Sequence, residues 1–228
     1  MNRLVRLFGT SIGRKAVVAA TGALLTAFLL VHAAGNLLIL KGPDALNGYA
    51  DWLQGHPLLW VFRAGLLALI AVHVTTTVQL TRQNRAARPL QYRQLNRRGT
   101  GLPGRLMPWS GLAILVFVVF HLLHLTLRWV GPEPARLHDA AGRIDVHALL
   151  ISGFSHPFVA GVYLVAIGLL ALHLVHALQG MVQTIGFNHE SYQPLVRGFT
   201  IVISLTIAAG FASIPLLVLS GMLGAGGG

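Results

Sequence analysis

Histidine is the one residue type in this 228-residue chain with the numbers and placement to carry metal or proton chemistry. There are eleven histidines and no cysteine. The lack of cysteine excludes disulfides, thiolate haem ligation and iron–sulfur ligation within the chain. Six histidines lie inside long apolar runs: His32, His73, His121, His124, His173 and His176. Ionisable side chains at membrane depth are costly, and they normally face a bundle interior with a partner or a function. One such imidazole would be explained by an interhelical hydrogen bond. Four consecutive runs that each supply one call for a shared purpose.

The elements that must position them are five apolar segments, at about 16–40, 57–80, 108–130, 157–182 and 199–223. Each is long enough to cross a hydrocarbon core of about 30 Å as a helix rising about 1.5 Å per residue. Composition agrees: 54% of residues are hydrophobic, 10% are charged and the mean hydropathy is +0.68. A soluble domain carries about 25% charged residues. The first run follows a basic N-terminus but is too long for a signal-peptide core, so it is expected to be a retained helix. Pro57, Pro108 and Pro157 open the second to fourth runs, where a first-turn proline sacrifices no helical hydrogen bond. Gly210 and Pro215 suggest a bend in the fifth, and Gly224–Gly228 a frayed tail.

The formal charge of +11 is distributed unevenly. Twelve basic residues fall on the N-terminal side: Arg3, Arg6, Arg14, Lys15, Arg82, Arg85, Arg88, Arg93, Arg97, Arg98, Arg105 and Arg197. The other side has Lys41, Arg63, Arg128, Arg136 and Arg143 with Asp44, Asp51, Glu133, Asp139 and Asp145. The positive-inside rule then places the N-terminus in the cytoplasm and the C-terminus outside; the expected location is a bacterial inner membrane. Basic residues beside apolar runs suit anionic lipid and topology, so no nucleic-acid partner is expected. The chain forms one domain, 1–228. Connections are short except the third, 131–156, which is expected to cap the outer face with one surface helix.

Depth sorts the histidines. His32 and His121 lie roughly 25 and 20 Å from the cytoplasmic ends of their helices, whereas His73 and His173 lie about 11 and 14 Å from theirs. Two ligands of one haem must share a level, so an all-α bundle of five transmembrane helices holding two bis-His b haems between the first four uses all four residues. Depth alone does not separate His121 from His124, or His173 from His176, since each pair is one turn apart on one face. The member that is not a ligand is free to meet a haem propionate, a quinone oxygen, a water or a backbone carbonyl.

Several local patterns run in order along the chain. They are SIGRK at 11–15 with Thr21-Gly22, His32 with Asn36, GPDALNGYADWL at 42–53, and HPLLW at 56–60. NRAARP at 84–89, SGLAILVFVVFHLLH at 110–124, FSHPFVAGVY at 154–163 and HLVHALQGMVQTIGFNH at 173–189 follow. In this series the chain resembles the di-haem cytochrome b558-type membrane anchor of succinate dehydrogenases and fumarate reductases (succinate:quinone oxidoreductases). The resemblance implies that the helix-three ligand lies ten residues after Gly111, at His121, and the helix-four ligand thirteen before Gly186, at His173. It implies a proximal haem on His73 and His173 and a distal haem on His32 and His121. Ala177 departs from a position usually held by glycine.

The same resemblance implies a non-flavin, quinone-reactive subunit of the enzyme, with a flavoprotein and an iron–sulfur subunit docked on the cytoplasmic face. Electrons would pass between the clusters and a quinone, menaquinone by family type. The arginines of the second connection offer a docking surface, Arg14 and Lys15 face either those subunits or lipid phosphate, and Arg14, with His124 and His176, is a candidate propionate or quinone contact. Quinone protonation has candidates in Asp44, Asp51, His56, His124, His147 and His156, none assigned a catalytic role. Three other readings are weighed: a His-relay proton-coupled transporter, a haem-free anchor, and a cytochrome b of hydrogenase or formate dehydrogenase type.

Overall fold

The computed structural model describes residues 10–87, 102–131, 137–187 and 189–224. Arg3, Arg6, Arg88, Arg93, Arg97, Arg98, Glu133 and Arg136 lie outside the described residues. The architecture is all-α. Seven α-helices are described: α1 (Ser11–Asn36), α2 (Pro43–Gly55), α3 (Leu59–Ala86), α4 (Leu102–His121), α5 (Val146–Ser155), α6 (Pro157–Thr184) and α7 (Gln193–Leu219). Five segments are long and apolar enough to cross a membrane: Ser11–Lys41, Leu59–Ala86, Leu106–Thr126, Pro157–Thr184 and Glu190–Leu219. The chain therefore has the build of a multi-pass membrane protein. Its many exposed large side chains, among them Trp60, Phe62, Val116 and Val202, suit a lipid-facing surface, because lipid rather than water surrounds such a bundle.

Local chemistry sets the helix ends. Thr10 caps α1 by accepting from the Gly13 N–H at 3.0 Å, filling one of the unpaired donors of the first turn. α1 ends in a 3-10 turn, Leu37–Lys41, stopped by Gly42 at φ 97°, a left-handed conformation that glycine tolerates best. Pro157 and Pro194 sit in the first turns of α6 and α7. Pro108 does not start its helix: α4 begins at Leu102 and carries Pro108 inside it. Pro57 lies in the turn before α3. α7 runs through Gly210 and Pro215 without interruption.

Helix α1 packs against α3, α6 and α7, while α4 packs on α6 and α6 lies along α7. α3 packs chiefly on α1 and has no buried residue, so it stands at the edge of the bundle. The side opposite the start of α1 carries a cap. Its first connection holds α2, which the expectation of a short link missed. α5 is also no surface helix, since Leu149, Leu150, Ile151, Gly153 and Phe154 are buried. Leu150, Ile151 and Phe154 join Ile39, Leu46, Val159 and Tyr163 in the core cluster under the cap.

Asn47 ties the cap together. It is 1% exposed, donates to Asp139 at 3.3 Å and Asp145 at 3.0 Å, and accepts from the His147 N–H at 3.0 Å. Arg143 donates to Asp139 at 2.8 Å and to Asp44 at 2.7 Å. Asp44, weighed as a proton acceptor, is thus an ion-pair partner of the cap.

Burial pulls the Asp139 carboxyl upward, but its bonds to the Arg143 N–H and guanidinium and to the Asn47 amide outweigh this and hold it below the ordinary value. A depressed folded-state pKa gives stability that is complete above the unfolded value of about 4 and is lost as pH falls through the folded one. Hydrogen exchange of the 137–148 amides should accordingly stay pH-normalised constant from neutrality to about pH 5 and rise below about pH 4. Unchanged protection at lower pH would contradict this network.

Candidate functional site

Thr21 and Ser110 stand at equivalent places on α1 and α4. Thr21 Oγ1 donates to the Val17 carbonyl at 2.7 Å and lies 2.9 Å from His73 Nδ1. Ser110 Oγ donates to the Met107 carbonyl at 3.0 Å and lies 3.2 Å from His173 Nδ1. A hydroxyl has one proton. With that proton held by a helix carbonyl, each oxygen accepts from the imidazole Nδ1–H, which leaves Nε2 as the bare nitrogen. This is the tautomer of a metal-binding histidine whose second nitrogen is held by an outer partner.

The next residue on each helix is glycine. A Cβ at Gly22 would come within 3.4 Å of His73 Cε1, and one at Gly111 within 3.4 Å of His173 Cε1. The two helix pairs, α1 with α3 and α4 with α6, therefore present the same hydroxyl–glycine–imidazole unit.

His32 follows Thr21, and His121 follows Ser110, by the same three turns, a rise of about 16 Å. At this second level the His32 and His121 rings have centroids 5.9 Å apart and planes at 87°. Phe28 stacks on His32 at 5.2 Å and Phe211 lies at 5.6 Å. Asn36 donates to the His32 carbonyl at 2.9 Å and lies 3.3 Å from His32 Nε2. Its amide N–H thus covers the nitrogen that would meet a metal, and ligation there requires Asn36 to release it.

One turn past His121, the helix widens into a π turn, Leu122–Thr126, with Leu127 N–H donating to the Leu122 carbonyl at 2.8 Å. Such single π turns recur at functional sites. It carries His124, which is 1% exposed. His124 Nδ1 lies 2.9 Å from the Tyr163 hydroxyl, which also lies 3.3 Å from His121 Nδ1. Its Nε2 is buried without a partner, an omission that costs about 1–3 kcal/mol. Gly131 and Gly153 close over the ring edge. His121 thus faces His32, while His124 faces the cap.

His176 lies half-buried one turn beyond His173, and Arg14 is half-buried in the first turn of α1. Among the described residues no group of three or more histidines or carboxylates is placed to hold a metal ion. Sequence reasoning missed Tyr163, the aromatic hub against Phe117, Phe120 and Phe154. It also missed the partner roles of Thr21 and Ser110. The signal was there: Thr-Gly and Ser-Gly each precede a histidine by the same interval. No protein-family model, curated protein or solved structure matches this chain.

The close approach of Gly131 and Gly153 to His124 makes a direct prediction. A Cβ at Gly131, where φ is 99°, would lie 2.4 Å from His124 Cδ2; one at Gly153 would lie 2.9 Å from Cε1. Gly131→Ala and Gly153→Ala should each destabilise the chain by about 1–3 kcal/mol, seen as a lower thermal midpoint in detergent. Gly161→Ala, with open space around it, is the control and should leave the midpoint unchanged. A Gly131→Ala midpoint equal to the control would contradict the packing described.

Proposed function

We propose that this chain is the membrane anchor and electron conduit of a succinate:quinone oxidoreductase, holding two b haems through His73 with His173 and His32 with His121. The observation that carries the reading is the twice-built unit in which a hydroxyl holds Nδ1–H and leaves Nε2 bare. A haem, when bound, supplies a one-electron carrier. The chain supplies the ligands, their orientation and a water-poor surrounding.

The residues present fit the group. His32 and His121, whose rings lie 5.9 Å apart, would hold one group once Asn36 releases His32 Nε2, and His73 and His173 would hold the other. Gly22 and Gly111 leave room beside the other two rings. Thr21 and Ser110 orient the imidazoles and raise their basicity. Burial among apolar helices lowers the local dielectric, which helps to set the potentials.

The partners we infer are an iron–sulfur subunit with its flavoprotein on the face where α1 begins, and a quinone, menaquinone by the resemblance. That face is taken as cytoplasmic from the basic bias. Arg82 and Arg85 are exposed there and suit either acidic partner groups or lipid phosphate.

The test is a dithionite-reduced minus oxidised spectrum of the purified chain. Two b haems per chain are expected, with half the amplitude lost in His73→Ala and the other half in His32→Ala. His124→Gln should retain both. A colourless wild-type protein, or full amplitude in either alanine variant, would overturn the reading.

A further inference from the structure

Between His121 and His124 there is one hydroxyl proton for two imidazole nitrogens. Tyr163 Oη lies within hydrogen-bonding distance of both Nδ1 atoms, 3.3 Å from His121 and 2.9 Å from His124. Tyr163 is 5% exposed, so water is a poor substitute for either bond. Its O–H can be donated to only one of the two rings, and its oxygen then accepts from the other.

We infer that Tyr163 is a positioning residue that makes the tautomers of His121 and His124 reciprocal: where one ring has Nδ1–H, the other has Nε2–H. Both orders are chemically balanced. In one, His121 Nδ1–H donates to Tyr163 and Tyr163 donates to His124 Nδ1. In the other, both donations reverse and His121 Nε2 is protonated, a form that cannot bind a metal through that atom. The reciprocity stands on the geometry alone; the choice of order rests on the haem reading above.

With iron on His121 Nε2, the chain must run in the first order. His124 then presents Nε2–H, the atom buried without a partner beside Gly131 and Gly153. The occupancy of one ring therefore decides whether the cap-facing edge of the other is a donor or an acceptor. The π turn matters because it holds His124 within reach of the same hydroxyl that His121 uses. Phe120 stacks on His124 at 5.6 Å and Phe154 meets Tyr163 edge-on at 4.9 Å, which keeps both rings from turning away.

The test uses the full chain as purified, with nitrogen-15-labelled histidine and each resonance assigned by the variant that removes it. Opposite tautomers at His121 and His124 are expected whether or not haem is bound. In the haem-loaded, reduced chain the expected forms are Nδ1–H at His121 and Nε2–H at His124. The same tautomer at both positions in the wild-type chain would overturn the inference without needing any variant to fold. Tyr163→Phe should release both rings to mixed tautomers. In the loaded chain it should also raise the midpoint potential of the haem held by His121, since the ligand loses the acceptor that made it more basic, and leave the other haem unmoved. Unchanged tautomers in Tyr163→Phe would overturn the inference. A chain that carries no haem yet shows reciprocal tautomers would sink the proposed function and leave this inference intact.

Discussion

An imidazole has two nitrogens and, when neutral, one proton, so its chemistry depends on which nitrogen a neighbour occupies. In this chain the neighbours at His73 and His173 are hydroxyls whose own protons are already committed to helix carbonyls. That commitment turns Thr21 and Ser110 into acceptors and leaves Nε2 bare on each ring. Everything proposed for the bundle depends on this local bond, because helix packing alone would bring histidines together without deciding what they can bind.

The unit is built twice. α1 and α4, the first helix of each pair, run in the same direction, and each presents a hydroxyl–glycine step to a histidine on its partner helix, α3 or α6. The second histidine of each first helix then falls about 16 Å further along. Two levels follow from one repeated spacing. The peripheral position of α3 and the central position of α6 show that the copies are not packed identically. The cap adds a further difference, since among the described residues no tyrosine hydroxyl is shared by two histidines at the level of His73 and His173. The level nearer the cap therefore has the richer hydrogen-bonding environment.

Much of this architecture was legible in the sequence. The five spans follow from run length and low charge, and the depth pairing of His32 with His121 follows from helical rise. The local boundaries were less legible for physical reasons. Pro108 sits inside a helix that starts six residues earlier, because proline in a first turn is a preference and not a rule. α2 was missed because GPDALNGYADWL is polar enough to resemble a loop, and its fold depends on Asn47 meeting Asp139 and Asp145, 92 and 98 residues away in the chain. Thr21 and Ser110 were hidden because hydroxyls in apolar helices usually bond their own backbone; these do so and also receive an imidazole. Tyr163 was read as part of a pattern, and only its packing between two histidines reveals a role.

The most direct measurement is a cryo-electron microscopy map of the chain purified from its membrane with the groups it carries. The account predicts planar density between His32 and His121 and again between His73 and His173, each entered by Nε2, with Thr21 and Ser110 still bonded to Nδ1. Imidazoles that pack on one another with nothing between them, or that offer Nδ1 to the bound group, would contradict it.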